Sequence, residues 1–350
     1  MTKCERSCGA SAGRFLLGRS AFVILSSFVI SVFVLGAGSE LSAQEPNPKL
    51  LISFASYRDR PKYPHIFFYE HDGVASGKIT STVASSRGTA SAEAHPWLSG
   101  DAKFCAFTYE LENNTSKIHF WDMAEKKLIV LPKINDSPKA VLSPSMSADG
   151  NIICFSALSR PMGAGLGYRV YLYDRAAKTL IDLPGLHSAS FEERMPKISA
   201  DGRWIVFVST RPEGAGLSDI YLYDRKEAKL AELPGLNSPA TDVEPSISGD
   251  GSLIAFASDR PGGKGSRDIH LYDRASGKLV NLPGLNSAGP EYLPSLSADG
   301  AYLVFVSERI GGEGERDIYL YDRKAGKLLP TPGLNSKTED FDPSILVSGR

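Results

Sequence analysis

The sequence has few of the residues and motifs that mark catalytic or disulfide-stapled proteins. Of 350 residues only 4 are cysteine, and Cys4 and Cys8 stand close to the amino terminus. No G-x-S-x-G, H-E-x-x-H or phosphate-loop motif occurs. Cys105 and Cys154 lie in the apolar segments "KFCAF" and "NIICF", without the spacing of a cysteine metal site. We expect two buried free thiols that face opposite sides of their sheets.

A strong net charge is also missing. The whole chain carries a formal charge of −1, and its first twenty residues contribute +3, which leaves −4 for the rest. A protein that binds the phosphate backbone of a nucleic acid normally has an excess of basic residues. We therefore expect no nucleic-acid partner.

The one long apolar run lies near the amino terminus, where basic residues precede "AFVILSSFVISVFVLGA" and "GSELSAQ" follows. This order predicts a secretory signal peptide over residues 1–43, a short linker over 44–48 and a domain over 49–350. We expect a periplasmic or secreted protein. Because the run is only slightly shorter than a spanning helix, the alternative is an uncleaved anchor, with the domain facing the periplasm or exterior.

A turn-like phrase recurs along the rest of the chain. "PGLNS" occupies Pro234–Ser238, Pro283–Ser287 and Pro332–Ser336, and "PGLHS" occupies Pro184–Ser188. Around it, six apolar segments end in phenylalanine at positions 53, 48, 52, 49 and 49 residues apart: Phe54, Phe107, Phe155, Phe207, Phe256 and Phe305. A period of this length is typical of a repeat architecture.

Each unit divides into four short strands, which we call A to D. In the unit Val243–Ser287, "VEPSIS" and "SLIAFAS" flank a "GDG" turn, "DIHLYD" forms strand C and "KLVNLPGL" forms strand D. The chain starts its first unit at strand B, "KLLISFAS", and ends on an isolated strand A, "DFDPSIL". This pattern predicts an all-β, six-bladed β-propeller, in which the C-terminal strand completes the N-terminal blade.

The combination of "S-x-D-G", "SDRPGG" and "DIYLYD" resembles the WD-repeat-like units of the TolB family of periplasmic propellers, over nearly all of residues 49–350. TolB itself has a further α/β domain ahead of its propeller. The resemblance implies a monomeric propeller whose channel mouth receives a segment of a protein or peptide of the cell envelope.

Acidic residues recur near the start of strand A. Five of six units carry one three positions before the strand-A proline, and two units carry another one position before it: Glu93, Glu193, Asp242, Glu291 and Asp340, then Glu244 and Asp342. One interpretation is an acidic collar that binds a partner or a hydrated cation such as Ca²⁺. The other is that each carboxylate caps backbone N–H groups in its own turn.

Two further sets bear on function. An arginine recurs in the B–C loop at Arg60, Arg160, Arg211, Arg260 and Arg309, and we expect it to pair with a neighbouring carboxylate such as the Asp or Glu that ends strand C. His95 is the one histidine placed to join a metal site, with Glu93, Glu244 and Asp342. The alternative for His95 is a single polar substitution.

Two functions are consistent with these patterns. The first is an exported, non-catalytic binding propeller, because the repeats are regular and no catalytic motif interrupts them. The second is a metal-dependent hydrolase or lyase that acts on an extracellular saccharide or lactone at the channel. No cofactor is required by the first function, and the second requires a metal.

Overall fold

The computed structural model describes residues 48–82, 91–111, 115–135, 140–159, 167–188 and 190–348. The predicted signal peptide and Arg160 lie outside these ranges. Every regular element in them is a β-strand. None of the described residues forms a helix long and apolar enough to span a membrane.

Twenty-four strands form six sheets of four, and we number the blades 1 to 6 in chain order. From blade 1 to blade 6, the inner A strands are β24 (Asp340–Ser348), β4 (Ser91–Leu98), β8 (Val141–Met146), β12 (Glu193–Ile198), β16 (Asp242–Ile247) and β20 (Glu291–Leu296). The B strands are β1 (Lys49–Ser56), β5 (Phe104–Leu111), β9 (Ile152–Ser159), β13 (Trp204–Ser209), β17 (Leu253–Ser258) and β21 (Tyr302–Ser307). The C strands are β2 (His65–His71), β6 (Ser116–Asp122), β10 (Gly167–Asp174), β14 (Asp219–Asp224), β18 (Asp268–Asp273) and β22 (Asp317–Asp322). The outer D strands are β3 (Gly77–Thr82), β7 (Lys127–Ile129), β11 (Thr179–Ile181), β15 (Lys229–Ala231), β19 (Lys278–Val280) and β23 (Lys327–Leu329).

The predicted six-bladed ring and its closure are confirmed. Every sheet is antiparallel in the order A, B, C, D, and β24 pairs with β1 to complete blade 1. At this closure the hydroxyls of Ser53 and Ser344 lie 2.8 Å apart. The first and last described strands therefore belong to the same blade.

Strand D is shorter than the sequence pattern predicts. In blade 5 it ends at Val280 instead of continuing through Leu285. Pro283 has no N–H to donate, and Gly284 adopts a φ of +73°, so the backbone leaves the ladder. The side chain of Asn286 then continues the pairing, since its amide accepts from the N–H of Ile269 and donates to the carbonyl of Ile269, both at 2.9 Å.

The repeated phrase connects each blade to the next. The strand-C tyrosine of blade 5, Tyr272, donates its hydroxyl to the carbonyl of Pro234 in the phrase that ends blade 4, at 2.9 Å. Tyr223 and Tyr321 make the same bond to Pro184 and Pro283, at 2.7 and 2.9 Å. The leucine of each phrase is fully buried: Leu186, Leu236, Leu285 and Leu334. The phrase recurs because every junction between these blades needs the same contacts.

The core consists of clusters between adjacent blades. Cys105 packs with residues of blade 1, whereas Cys154 packs against blade 4, on the opposite side of its sheet from Phe155. Both cysteines are free and buried. The expectation of two buried thiols on opposite faces is confirmed.

Candidate functional site: the central channel and its mouth

The A strands surround a channel whose two ends differ. Because the strands alternate in direction, the D–A and B–C loops lie at one end, which we call the mouth, and the A–B turns lie at the other. At the A–B end, backbone hydrogen bonds connect Gly100 to Ala148, Ala148 to Ala200, and Ala200 to Gly249, at 2.7 to 2.9 Å. A methyl group on Gly249 would approach the Cβ atoms of Ala200 and Ala298 to 3.1 and 3.0 Å. The A–B turns thus contact one another at this end, and a cavity of about 60 Å³ lies beside them, lined in part by Trp97, Met146 and Ile198.

The five acidic residues three positions before the proline lie inside the turns. All five are fully buried: Glu93, Glu193, Asp242, Glu291 and Asp340. In blade 5, Asp242 accepts from the N–H and hydroxyl of Ser238, the last residue of the repeated phrase, at 2.6 and 3.1 Å. Ser336 makes the corresponding bonds to Asp340. This is the geometry of the turn-capping alternative, and a role for these residues in binding a partner stays a prediction.

The buried carboxylates have arginine partners, but two details of the expected pairing are wrong. Arg211, Arg260 and Arg309 pair with the strand-A carboxylates Glu193, Asp242 and Glu291, at 3.1, 2.7 and 3.3 Å, and not with strand C. The carboxylates that end strand C lie at the other end of the sheet, where Asp273 accepts the N–H groups of Ala275 and Ser276 in the C–D turn.

In blade 1 the arginine that pairs is Arg58, 2.7 Å from Asp340, and not Arg60. The physical reason is register. The pairing arginine stands two residues after the last serine of strand B, as in "SYR" and "SDR", because that serine hydroxyl accepts its Nε–H at 3.0 to 3.1 Å. Arg60 and Arg260 are both followed by proline, and this shared feature led to Arg60 being matched with Arg260 when the true counterpart is Arg58.

A ring of six residues, one position before each strand-A proline, points into the channel. We call it the bulge ring: His95, Ser143, Met195, Glu244, Leu293 and Asp342. Each has a positive φ of 49 to 55°, and strand pairing shifts register there in every blade. The left-handed conformation is costly for these residue types, so the surrounding sheet holds it in place. The ring contains six different residue types within otherwise similar repeats.

Two carboxylates of the bulge ring connect neighbouring blades. Glu244 accepts the N–H of Leu293 at 2.7 Å, and Asp342 accepts the N–H of His95 at 3.0 Å. The Nε2 atom of His95 also lies 3.7 Å from Asp342. Burial raises the pKa of Glu244, and the nearby charge of Asp342 raises it further. Glu244 also pairs with Arg267 at 3.9 Å, which opposes this rise. The acidic groups of the bulge ring thus lie on the side of blades 5 and 1.

A second ring lies deeper, one position after the proline, and we call it the inner ring: Trp97, Ser145, Lys197, Ser246, Ser295 and Ser344. Four blades carry serine, while blade 2 carries Trp97 and blade 4 carries Lys197. The Nζ atom of Lys197 lies 4.5 Å from the centre of the Trp97 ring. Burial lowers the pKa of Lys197 to about 8, against an opposing effect of Asp342.

Lys197 and Trp97 were not among the predicted site residues, which all lie before the strand-A proline. A signal was present, because four serines at the position after the proline make a lysine and a tryptophan conspicuous.

The described part of the channel does not contain a complete set of metal ligands. His95, Glu244 and Asp342 line it, whereas Glu93 lies in its turn and accepts the N–H of Ile66 at 3.3 Å. Across the described ranges, no three histidine, cysteine or acidic side chains come together closely enough to hold a metal ion. The described residues thus do not by themselves supply the ligands of a tightly bound metal, and a metal site at His95 stays a prediction.

An aromatic and arginine-rich surface borders the mouth beside blades 5, 6 and 1. We call it the rim: Tyr57, Arg267, Tyr292, Arg316 and Phe341. The guanidinium groups of Arg267 and Arg316 each lie 5.7 Å from the Tyr292 ring, and the rings of Tyr57 and Phe341 lie 5.7 Å apart. All five side chains are at least partly exposed. The rim therefore offers stacking surfaces and positive charge next to the two channel carboxylates.

Comparison with known proteins agrees with this architecture. No protein-family model matches the sequence. Among curated proteins, none matches it either. Solved structures do match: TolB from Acinetobacter baumannii is 21% identical over 84% of this chain and 66% of its own, with a TM-score of 0.60. A TolB-like protein of Agrobacterium tumefaciens is 15% identical over 87% of this chain and 99% of its own, with a TM-score of 0.54.

An oligogalacturonate lyase in complex with manganese is 12% identical over 80% of this chain and 77% of its own, with a TM-score of 0.51. TolB and an oligogalacturonate lyase thus share this architecture, so the likeness establishes the fold and leaves the activity open. At the level of fold the resemblance inferred from the repeats is confirmed: the chain is a TolB-like, six-bladed β-propeller.

Proposed function

We propose that this protein is an exported, non-catalytic binding propeller that engages a protein or peptide of the cell envelope at the channel mouth. The observation that carries the proposal is the rim, which brings two tyrosines, a phenylalanine and two arginines together beside the open end of the channel. Tyrosine and arginine are the residue types that most often dominate the energetics of protein interfaces.

Two exposed apolar side chains on the same face add support. Leu217 is 85% exposed and Ile310 is fully exposed, and both belong to B–C loops, which lie at the mouth end. Large apolar side chains that gain nothing from the fold itself are common at binding surfaces. A partner that covers the rim would extend over these loops.

The test is affinity capture from an envelope extract with residues 44–350 as bait. The informative variant is the double substitution Tyr292→Ala and Arg316→Ala, because both side chains lie on the surface. Val130→Ser is the matched control, since Val130 is 85% exposed and directly follows outer strand β7. We expect the wild type and the control to retain a protein that the rim variant loses.

Retention of the same proteins by all three baits would contradict the proposal, as would the absence of any specific protein from the wild-type capture. Circular dichroism spectra and urea midpoints of the three baits establish that they are equally folded. A benzophenone side chain at position 292, compared with one at position 130, identifies the protein that touches the rim.

The second candidate is the metal-dependent hydrolase or lyase. Its support is that His95, Glu244 and Asp342 line the same cavity. Its weakness is that the described residues supply no set of three metal ligands. Metal analysis of the purified protein separates the two functions. A tightly bound transition metal that His95→Ala removes favours the enzyme, whereas metal-free protein or weakly bound Ca²⁺ favours the binding propeller.

Export is part of the same proposal. It rests on the basic and apolar order of residues 1–43. The resemblance of the repeats to the TolB family of periplasmic propellers supports it. Amino-terminal sequencing of the protein from its native host gives the test. A mature chain that begins at Gln44 supports cleavage, and an intact amino terminus in the membrane fraction supports the anchored alternative.

A further inference from the structure

The two departures from serine in the inner ring contact each other. Trp97 and Lys197 belong to blades 2 and 4, and the ammonium of Lys197 lies over the indole ring at 4.5 Å. A cation over an aromatic face is favourable, but it satisfies none of the three N–H donors of a lysine. Among the described residues, no acceptor lies within hydrogen-bonding distance of this ammonium.

Two more polar atoms on the same cavity lack a partner. Ser295 is only 3% exposed, and its hydroxyl makes no hydrogen bond within the described chain. The Nδ1 atom of His95 is also buried and has no hydrogen-bond partner within the described chain. Folded proteins rarely leave buried polar atoms unsatisfied, and the exceptions often mark the site of a bound molecule. Lys197, Ser295 and His95 all line this one cavity.

The cavity is small and carries both signs of charge. Its volume is about 60 Å³, which corresponds to roughly four to six water molecules. Lys197 supplies the positive charge, and Glu244 and Asp342 supply the negative side. A molecule with a carboxylate alone would meet these two carboxylates, and a molecule with an ammonium alone would leave Lys197 unsatisfied.

We propose that the channel binds a small zwitterion, a molecule whose ammonium and carboxylate groups are a few bonds apart, as in a free amino acid. The carboxylate accepts from the Lys197 ammonium and the Ser295 hydroxyl, while the ammonium faces Glu244 and Asp342. This site goes beyond the partner surface proposed above and is independent of it, because it lies beneath the mouth and needs no protein partner.

The test is calorimetric titration of the purified protein, residues 44–350, with glycine, β-alanine and 4-aminobutanoate. These three differ in the separation of their two charged groups. Propionate and propylamine each retain one of the two groups and serve as ligand controls. We expect at least one amino acid to bind saturably, and each single-charge analogue to bind at least about tenfold more weakly.

Variants locate the site. We expect Lys197→Gln to weaken binding by about tenfold or more, and Ser295→Ala to weaken it by a smaller factor. Lys226→Gln, which removes an exposed lysine from the same blade, should leave binding unchanged. Lys197→Ser introduces the residue of four other blades and provides a second variant that we expect to fold.

The proposal is overturned if none of the three amino acids binds saturably, or if propionate binds as tightly as the best of them. It is also overturned if folded Lys197→Gln and Lys197→Ser both bind like the wild type. Because the titration contains only the purified protein and a small molecule, its result does not depend on whether an envelope partner is captured.

Discussion

Blades 5 and 3 apply two solutions to the same buried position. In blade 5, Asp242 and Arg260 form a buried ion pair that also holds Ser238 and the carbonyl of Leu236. In blade 3 the acidic position is Val141, which is fully buried and bonds through its backbone to the hydroxyl of Ser116. Both blades pair their strands normally. The ion pair is therefore not required by the blade fold. Its importance for stability is that each buried charge needs the other, because a buried charge without a partner is costly.

Breaking one pair gives the largest expected effect. Arg260→Met leaves Asp242 buried without its cation, and we expect the free energy of unfolding to fall by about 3–5 kcal/mol. The double variant Asp242→Val with Arg260→Met copies the apolar solution of blade 3 and should regain about 2 kcal/mol. Urea unfolding measures both. A double variant less stable than the single one would show that blade 5 depends on the charge itself.

Removing the side-chain amide that bonds to the backbone of Ile269 should lower the free energy of unfolding by less. Asn286→Ala takes away two hydrogen bonds to Ile269 at the start of strand β18. We expect a loss of about 2 kcal/mol, because two backbone groups lose their partner. Blade 3 carries His187 at this position, so Asn286→His sharpens the comparison and should cost less than Asn286→Ala. Hydrogen exchange of the Ile269 amide reports local opening at the start of strand β18. Unchanged protection in the variant would contradict a stabilising role for the Asn286 amide.

Two histidines make stability depend on pH in blades 2 and 5. His119 and His270 lie three residues before the aspartate that ends strand C, where blades 3, 4 and 6 carry tyrosine, and burial lowers their pKa to about 4. Their unfolded-state pKa is near 6.5, so the unfolded chain binds more protons between pH 6.5 and 4. Stability is therefore full above pH 6.5 and falls as the pH drops toward 4.

We expect each histidine to account for about 1 kcal/mol of the loss between pH 7 and pH 5, allowing for its partial exposure. The double variant His119→Tyr with His270→Tyr restores the residue of the other blades and should flatten this part of the profile. Thermal unfolding across the pH range provides the measurement. An unchanged slope would assign the acid sensitivity to other groups.

The smallest expected change in stability comes from a substitution in the channel, and it tests whether Lys197 serves binding or the fold. Lys197→Ser removes a half-buried ammonium that has no acceptor in the described chain and gives blade 4 the residue of four other blades. We expect the free energy of unfolding to stay within about 0.5 kcal/mol of the wild type, or to rise, while amino-acid binding is lost. A loss above about 2 kcal/mol would identify Lys197 as part of the scaffold instead.

The sequence predicts the blades better than it predicts their contacts. The turn "GDG" and the alternating "DIHLYD" are local signals, so strand order and ring closure followed directly from them. The partner of Arg260 was assigned to the wrong strand, because choosing between Asp242 and Asp273 requires knowing which carboxylate lies at the B–C end of the sheet. Lys197 and Trp97 come from blades separated by a third blade, and only the closed ring brings them together.

The pairing of β24 with β1 also determines when the molecule becomes complete. Ser53 and Ser344 are 291 positions apart, so this contact forms only after nearly the whole domain has been synthesised and has crossed any membrane on its route. Until then blade 1 has an open inner edge, the kind of edge on which strands from other chains can add. The rate at which β24 docks onto β1 thus sets how long the newly made ring is prone to aggregation. The rate at which β24 detaches sets the lifetime of the closed ring.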